Sequence, residues 1–288
     1  MNFSKNPFTH IEGVFNFRDA GGYAIAVDPL YSVRRRFIFR CANPGRATSN
    51  GVQQIRDLDI TTIFDLRSAT EIERTKDFAP TAEIPGIRRV HVPVYVHGEY
   101  PAHQSVENLQ NYTSANRQDS RGAYVEYLDN GKDAFGTIFT HIRDHPDQNC
   151  LIHCSAGKDR TGVAIALILA TAGVETSTIQ QEYRFSRRGV EAHERIRRSL
   201  SDREVGLGVD GSASNKSSRT EVSGKTASKS CCMRGAAHPL YFRLDALSEM
   251  LDVLRDAHDG AEGYLKTQCG FSNEDVAIIR ENLRIKEA

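Results

Sequence analysis

The chain of 288 residues contains no tryptophan and only six cysteines. Six cysteines in a chain of this length are too few for a disulfide scaffold, so we expect reduced thiols. An excess of one charge is also missing, because 37 Lys and Arg residues balance 37 Asp and Glu residues. A chain without net positive charge has no global attraction to polyanions, and we therefore predict no nucleic-acid partner.

Long hydrophobic runs are missing as well. The longest run, Val163 to Ala172, is far shorter than the roughly 20 residues that cross a bilayer. The N-terminal segment Met1 to His10 lacks the cationic and then apolar pattern of a secretory signal. These absences predict a cytoplasmic protein with no integral membrane segment, in which an anionic substrate needs a local binding site.

Short strand-like segments, rich in β-branched and apolar residues, alternate along the chain with segments of helical periodicity. The predicted strands are Phe37–Arg40, Thr61–Leu66, Arg89–Val94 and Cys150–His153. The predicted helices are Thr48–Leu58, Thr70–Arg74, Gly122–Asp144, Thr161–Ala172, Glu175–Leu200, Leu240–Leu254 and Asn273–Leu283. This alternation predicts an α/β fold with a central, mostly parallel sheet flanked by helices.

Two polar stretches interrupt the alternation. Residues 96–121 have weak periodicity and are predicted to form a long loop or lid. Residues 201–237 are rich in Ser, Gly, Lys and Thr, and their low hydrophobicity predicts a disordered insertion. Because helical patterns resume after this insertion, we expect residues 1–288 to form a single domain.

The segment 153–162, with the sequence HCSAGKDRTG, joins a predicted buried strand to a predicted apolar helix. Cys154 and Arg160 stand six positions apart in it, so the loop between them can curl around one tetrahedral anion. Its backbone N–H groups would point inward, and the helix dipole adds about half a positive charge at the same place. The predicted substrate-binding residues are Ser155, Ala156, Gly157, Lys158, Thr161 and Gly162.

The residue types in this loop suit phosphoryl transfer. The electropositive ring favours the thiolate form of Cys154, which would act as a nucleophile at neutral pH. Arg160 offers a planar fork that can hold two phosphate oxygens at once. Gly157 and Gly162 allow a tight turn and a close approach of the helix. The hydroxyl of Thr161 is expected to donate a hydrogen bond to the Cys154 sulfur.

Other readings of the same segment fit less well. A nucleotide-binding P-loop is excluded because Asp159 follows Lys158 and the earlier glycine is missing. A zinc site from Cys150, His153 and Cys154 lacks a paired Cys-x-x-Cys partner, so we predict no metal and no cofactor. His153 is expected to brace the loop through hydrogen bonds rather than to transfer protons.

The loop resembles the Cys-x5-Arg signature of protein tyrosine phosphatases. It is most similar to the atypical tyrosine and dual-specificity phosphatases of the bacterial and fungal lipid-phosphatase-like group. Further blocks match that family in order: Asn16–Tyr23, Phe39–Asn43, Phe64–Ser68, Gly263–Leu265 and Gly270–Ser272. The insertion 201–237 departs from the compact pattern of the family.

The resemblance implies a cysteine-phosphatase fold with helical lid and C-terminal additions. It also implies a metal-independent phosphatase that forms a cysteinyl-phosphate intermediate. The implied substrates are phosphorylated proteins carrying phosphotyrosine, with phosphoserine, phosphothreonine and phosphoinositides as further candidates.

The cleavage of a phosphoester needs a general acid for the leaving oxygen. The chain has no Trp and so lacks the Trp-Pro-Asp loop of conventional tyrosine phosphatases. Asp144 and Asp147 precede a strand, at the wrong edge of the sheet, because ligands of α/β sheets collect at the carboxyl ends of strands. Two candidates remain, Asp159 inside the loop and Asp65 after its own strand.

The resemblance favours Asp159, which matches the aspartate regarded as the acid in the family. Against it, Lys158, Arg160 and the helix N-terminus would all keep Asp159 ionised, although a bound phosphate dianion would oppose that effect. The alternative, Asp65, could be the acid, or it could hold Arg67 or Arg160 in place through an ion pair.

Lys158 bears on the substrate, because it resembles the second loop lysine of tumour-suppressor-type phosphoinositide phosphatases. Ser155 replaces the first lysine of that family, and a solvated lysine is the competing interpretation. Arg184, Arg187 and Arg188 could form a basic rim, or merely a solvated helix face.

Two other functions share features of this loop. A catalytically weak phosphate-binding pseudophosphatase is opposed by the intact Cys154 and Arg160. A rhodanese-like sulfur carrier also has a cysteine loop, but it does not predict the residues that continue from Gly157 to Gly162.

Overall fold

The computed structural model describes residues 7–95, 117–189 and 244–287. Seven strands lie in these ranges, five in a central sheet and two in a separate ribbon. They are β1 (Arg18–Asp19), β2 (Tyr31–Val33), β3 (Ile38–Cys41), β4 (Ile60–Asp65), β5 (Arg88–His91), β6 (Asn149–His153) and β7 (Arg284–Lys286).

The described helices are α1 (Ser49–Arg56), α2 (Ala69–Thr75), α3 (Arg117–Asp144), α4 (Asp159–Thr171), α5 (176–189), α6 (Leu244–His258), α7 (Gly260–Cys269) and α8 (Asn273–Leu283). None of the helices in these ranges combines the length and the apolar composition needed to cross a membrane.

The central sheet has the strand order β1-β3-β6-β4-β5, and the four strands β3, β6, β4 and β5 run parallel. Only β1 is antiparallel to its neighbour. In the register of the sheet His153 pairs with both Cys41 and Asp65, so the carboxyl ends of three strands meet at one edge. The predicted α/β fold with a mostly parallel sheet is confirmed, and the edge where these strands end carries the residues after His153.

Helices cover both faces of this sheet, because successive side chains of a strand point in opposite directions. On β6, Ile152 packs into a large core with Val163 of α4 and with residues of α3, α6, α7 and α8. Its neighbour Leu151 packs on the other face into a smaller core with Ile55 of α1. The strand that leads into the Cys154 loop is therefore fully buried on both sides.

The N-terminus of α4, which follows the Cys154 loop, is capped differently from three other helices. Thr48, Ser68 and Ser272 each cap a helix by accepting a hydrogen bond from a backbone N–H. Helix α4 is different, because Lys158 at its N-cap position makes no side-chain cap hydrogen bond. The N-terminus of α4 thus carries the helix dipole directly into the loop that precedes it.

The predicted loop 96–121 ends earlier than expected, because α3 begins at Arg117 rather than at residue 122. Residues 117–121 are polar but contain neither proline nor glycine, so polarity alone did not indicate a loop there. Residues 96–116, the predicted insertion 201–237 and the predicted helix beyond residue 189 lie outside the described part of the chain. Strand β5 stops at His91, before the proline that the prediction included.

Helix α7 was absent from the elements predicted by residue pattern, although the family resemblance assigns Gly263–Leu265 to a C-terminal helix. Its sequence contains Gly260 and Gly263, which lower helix propensity. Tyr264 and Leu265 are fully buried in the large core, and the Tyr264 hydroxyl donates a hydrogen bond to the carbonyl of Leu128 in α3. Tertiary packing therefore overrides the weak local preference of this segment.

We expect Leu167→Ala in α4 to lower the free energy of unfolding by about 2–5 kcal/mol, because Leu167 is 0% exposed in the large core. Ile278→Ala in α8 is the matched control, since Ile278 is 45% exposed and its truncation should change stability by about 0.5 kcal/mol or less. Urea unfolding followed by circular dichroism measures both. Equal losses for the two variants would contradict this description of the core.

Candidate active site

All five carbonyl groups of residues 154–158 accept hydrogen bonds from groups outside the loop's concave side. The Cys154 carbonyl accepts from His153 Nδ1 (3.1 Å), and the Ser155 carbonyl from the Asn43 backbone N–H (3.0 Å). Two side chains supply most of the other donors: Asn16 Nδ2 to Ala156 (3.1 Å) and Gly157 (3.0 Å), and Arg40 Nη2 to Gly157 (2.7 Å) and Lys158 (3.3 Å). The Lys158 carbonyl also accepts from the Gly162 N–H at 2.7 Å.

This pattern sets the direction of the amide groups. In a trans peptide the carbonyl of one residue and the N–H of the next point in opposite directions. Because the carbonyls of residues 154–158 face outward, the N–H groups of residues 155–159 face the concave side. A run of inward N–H groups beside a helix N-terminus is an anion-binding nest.

At two positions in this region the close approach of neighbouring atoms requires glycine. Gly157 has φ +63°, and a Cβ atom there would lie 1.9 Å from the Cys41 carbonyl oxygen. A Cβ atom on Gly162 would lie 2.7 Å from the ring of Tyr183. The loop and α4 could not adopt these positions with a larger residue at either site.

Arg160 is buried and forms a two-point ion pair with Glu71 of α2. The distances are 2.6 Å from Nη1 to Oε2 and 3.0 Å from Nη2 to Oε1. Glu71 also accepts a short hydrogen bond from the Ser155 hydroxyl. The carboxylate thus fixes the plane of the Arg160 guanidinium and ties it to the first residue after Cys154.

Sequence reasoning missed Glu71, although a signal was present. Ser68 and Glu71 form the Ser-x-x-Glu pattern of a helix N-terminus, and the Ser68 side chain does accept from the Glu71 N–H. The Glu71 carboxylate turns instead to Arg160. Burial acts to raise the pKa of Glu71, but Arg160 and Ser155 outweigh it and hold that pKa below its ordinary value, so Glu71 is ionised at neutral pH.

Asp65 lies fully buried at the end of β4, in an ion-pair cluster. Its carboxylate binds Arg67 Nη2 at 2.8 Å and Arg89 Nη2 at 2.9 Å, and His153 Nε2 lies 3.8 Å away. Burial acts to raise the pKa of Asp65, but His153, Arg67 and Arg89 hold it far below its ordinary value. The ion-pair partners of Asp65 are thus Arg67 and Arg89, of which Arg67 was one of the two arginines considered from the sequence.

Asp159 occupies a different environment, at the start of α4. Its side chain is 33% exposed, and Oδ1 lies 3.2 Å from Lys158 Nζ. The Tyr183 hydroxyl donates a hydrogen bond to the same oxygen at 3.0 Å. Sequence reasoning missed Tyr183, because α5 brings it to the loop only in the tertiary structure.

Lys158 is not the solvated lysine considered as its competing interpretation. Its side chain is 8% exposed and is held against Asp159. Arg184, Arg187 and Arg188 are exposed on α5, the helix that also carries Tyr183.

Cys154 is buried, and hydrogen bonds were expected from its neighbour His153 to the loop and from Thr161 of α4 to its sulfur; the structure forms a contact from His153 to the Cys154 carbonyl. Burial lowers the pKa of His153, and the ring donates a hydrogen bond from Nδ1 to the Cys154 carbonyl, as a bracing residue would. The Thr161 hydroxyl is buried and has no hydrogen-bond partner within the described ranges. The expected hydrogen bond from Thr161 to Cys154 is therefore not formed in the structure.

Known proteins resemble this chain along most of its length. The description of the matching family is "Tyrosine phosphatase family", and the match covers residues 9–285. A tyrosine-protein phosphatase from Nostoc commune is 26% identical over 85% of this chain and 73% of its own length. The triple specificity protein phosphatase PtpB of Mycobacterium tuberculosis is 29% identical over 60% of this chain and 67% of its own length.

Structural likeness is weaker. A crystal structure of P. aeruginosa TpbA aligns with 56% of this chain and 77% of its own, at 16% identity and a TM-score of 0.26, which is too low to bear on the fold. The family match spans both the Cys154 loop and the elements that surround it, from the N-terminal segment to α8. The chain therefore belongs to the tyrosine phosphatase family.

Proposed function

We propose that this phosphatase hydrolyses phosphomonoesters in two steps, with Cys154 as the nucleophile. The observation that carries the proposal is the set of five outward carbonyls, which turns the amides of residues 155–159 toward one point beside Cys154. In the first step the thiolate attacks phosphorus and the bond to the leaving oxygen breaks. In the second step water attacks phosphorus, the S–P bond breaks and phosphate leaves.

Charge on the transferring phosphoryl group is stabilised by groups that are already in place. The loop amides and the guanidinium of Arg160 face the oxygens of the phosphoryl group, and Glu71 fixes the guanidinium before substrate binds. Because these donors are already in place, they stabilise the transition state without a further entropy cost for ordering the loop. Ser155, Ala156, Gly157 and Lys158 bind mainly through their backbone.

Asp159 is the proposed general acid. It gives its proton to the leaving oxygen and takes one from the attacking water in the second step. Its partly exposed position at the edge of the loop supports this role, and Tyr183 orients its carboxyl group. Asp65 suits the role less, because three cationic or polar partners keep it ionised at neutral pH.

The proposed substrates are phosphotyrosine proteins, with phosphoserine, phosphothreonine and phosphoinositides as further candidates. The name of the Mycobacterium relative, a triple specificity phosphatase, supports this range. Lys158 could meet a second phosphate group, but only in competition with Asp159, to which it is ion-paired. The four described cysteines are unpaired, which supports a reducing compartment such as the cytoplasm.

Cys154→Ser is expected to abolish turnover, because the Ser hydroxyl is far less ionised than a thiol at neutral pH. Acid quenching of the wild-type protein during turnover should yield a phosphorylated peptide that contains Cys154, detected by mass spectrometry. Cys269→Ser is the control, since Cys269 lies in α7, and it should retain activity. Full turnover by Cys154→Ser would exclude the mechanism, and phosphate binding without turnover by the wild type would indicate a pseudophosphatase.

Asp159→Asn is expected to lower kcat about 10²- to 10⁴-fold for alkyl phosphates, which have poor leaving groups, because the general acid is lost. Activated aryl phosphates need little protonation and should lose far less. Rates for the two substrate types are compared in the wild type, Asp159→Asn and Asp65→Asn. A loss that depends on the leaving group in Asp65→Asn, but not in Asp159→Asn, would move the acid role to Asp65.

If Lys158 meets a second phosphate, Lys158→Ala should reduce kcat/KM for phosphoinositides about ten-fold more than for a phosphotyrosine peptide, since a charge-assisted contact is lost only with the former. A phosphothreonine peptide completes the panel. Lys76→Ala removes an exposed lysine just after α2 and serves as the charge-matched control. Equal losses for all substrates would assign Lys158 to the Asp159 ion pair alone.

A further inference from the structure

Three charged side chains are buried together behind the Cys154 loop and have no part in the chemistry described above. Arg18 and Arg40 are 0% exposed, and both bind the buried carboxylate of Glu182 in α5. Arg18 Nε lies 2.8 Å from Glu182 Oε1, and Arg40 Nη1 lies 2.7 Å from Oε2. Both guanidinium groups also donate to the Ser186 hydroxyl, one turn further along α5.

The cluster has one more positive than negative charge. Burial and the neighbouring Arg40 lower the pKa of Arg18 to about 10, so Arg18 remains protonated at neutral pH. Burial acts to raise the pKa of Glu182, but the two arginines hold it below its ordinary value. Replacing buried ion pairs with apolar residues is often neutral or stabilising, so stability alone does not explain two buried arginines around one carboxylate.

The contacts of Arg40 indicate what it does. Arg40 Nη2 donates to the carbonyls of Gly157 and Lys158, whereas Arg18 donates to Glu182, Ser186 and Asn16. Asn16 in turn donates to the Ala156 and Gly157 carbonyls and accepts from Arg18 Nη1 at 2.6 Å. Three consecutive loop carbonyls thus receive their outside hydrogen bonds from only two side chains.

Asn16 is held in an unusual backbone conformation to make these contacts. Its φ of +58° lies in the left-handed region, which Asn tolerates better than most residues but which favours glycine. A Cβ atom on Gly189 of α5 would lie 2.3 Å from Asn16 Oδ1, so the helix packs closely against this amide. The segment around Asn16 and α5 therefore hold the back of the loop together.

We propose that Arg40 and Asn16 are positioning residues that keep the loop amides directed at the phosphate, and that Glu182 of α5 holds Arg40 in that position. The proposal rests on the proposed function of the loop, and neither side chain touches the substrate. A peptide plane that flipped would place a carbonyl oxygen in the anion site and leave buried donors of Arg40 or Asn16 without partners. The two side chains therefore stabilise the binding geometry before substrate arrives.

The test measures the affinity of the loop for inorganic phosphate by calorimetry, in the inactive Cys154→Ser background. Adding Arg40→Gln should weaken phosphate binding about ten-fold or more, because two hydrogen bonds that orient the loop are lost. Arg18→Gln is the comparison variant, since Arg18 is equally buried and binds the same Glu182 and Ser186 but reaches the loop only through Asn16. It should lower thermal stability to a similar extent and weaken phosphate binding less than Arg40→Gln does.

A second variant keeps the test decisive if Arg40→Gln does not fold. Asn16→Gly removes both amide donors and relieves the positive φ, so the backbone is not strained. We expect it to weaken phosphate binding about five-fold, as the loss of a typical hydrogen bond would. In the otherwise wild-type enzyme, Asn16→Gly should raise KM for an aryl phosphate by a similar factor.

Two outcomes would overturn the proposal: unchanged phosphate affinity in a folded Arg40→Gln variant, or unchanged affinity in Asn16→Gly. Unchanged affinity together with lower thermal stability would assign the cluster to stability alone. Because phosphate binding is measured without turnover, a failure of Cys154 as the nucleophile would leave this result interpretable. Conversely, the cysteinyl-phosphate experiment does not depend on Arg40 or Asn16, so the two failures are distinguishable.

Discussion

The structure depends on one constraint, that the carbonyls of five consecutive residues, 154–158, must find hydrogen-bond donors outside the loop. Buried carbonyls without partners are costly, so the loop can hold its amides inward only if the surrounding elements supply those donors. The donors come from three different parts of the chain: Asn16, the segment that holds Arg40 and Asn43, and His153. The geometry of the loop thus depends on the whole sheet edge and not on the loop by itself.

Buried carboxylates around the loop are likewise paired, each with one or two arginines. Glu71 orients Arg160, Asp65 pairs with Arg67 and Arg89, and Glu182 pairs with Arg18 and Arg40. Each of these acids has a depressed pKa because its arginine partners outweigh the effect of burial. Asp159 differs from all three, since it lies partly exposed where the loop meets α4. That difference in environment separates a residue suited to proton transfer from residues suited to holding cations in place.

Much of the fold could be predicted because its signals are local. The apolar strand before Cys154 and the apolar helix after Arg160 have short-range patterns, and the structure places β6 and α4 within two residues of the predicted ends. Helix α7 escaped prediction because its glycines weaken the local pattern and the buried Tyr264 compensates through contacts with α3. The contacts of Glu71 and Tyr183 with the loop were not predicted for a related reason. Glu71 is 84 residues from its partner Ser155, and Tyr183 is 24 residues from its partner Asp159.

By itself, the sequence determined the alternation of strands and helices and the order of cysteine, glycine and arginine in one strand-to-helix loop, because these features depend on neighbouring residues. Only the tertiary structure decided which partners that loop receives. The pairing of Arg160 with Glu71, of Asp65 with Arg67 and of Arg40 with the Gly157 carbonyl depends on strand register and helix packing. Those distances are set when the two cores close on either face of the sheet, and no local pattern of residues encodes them.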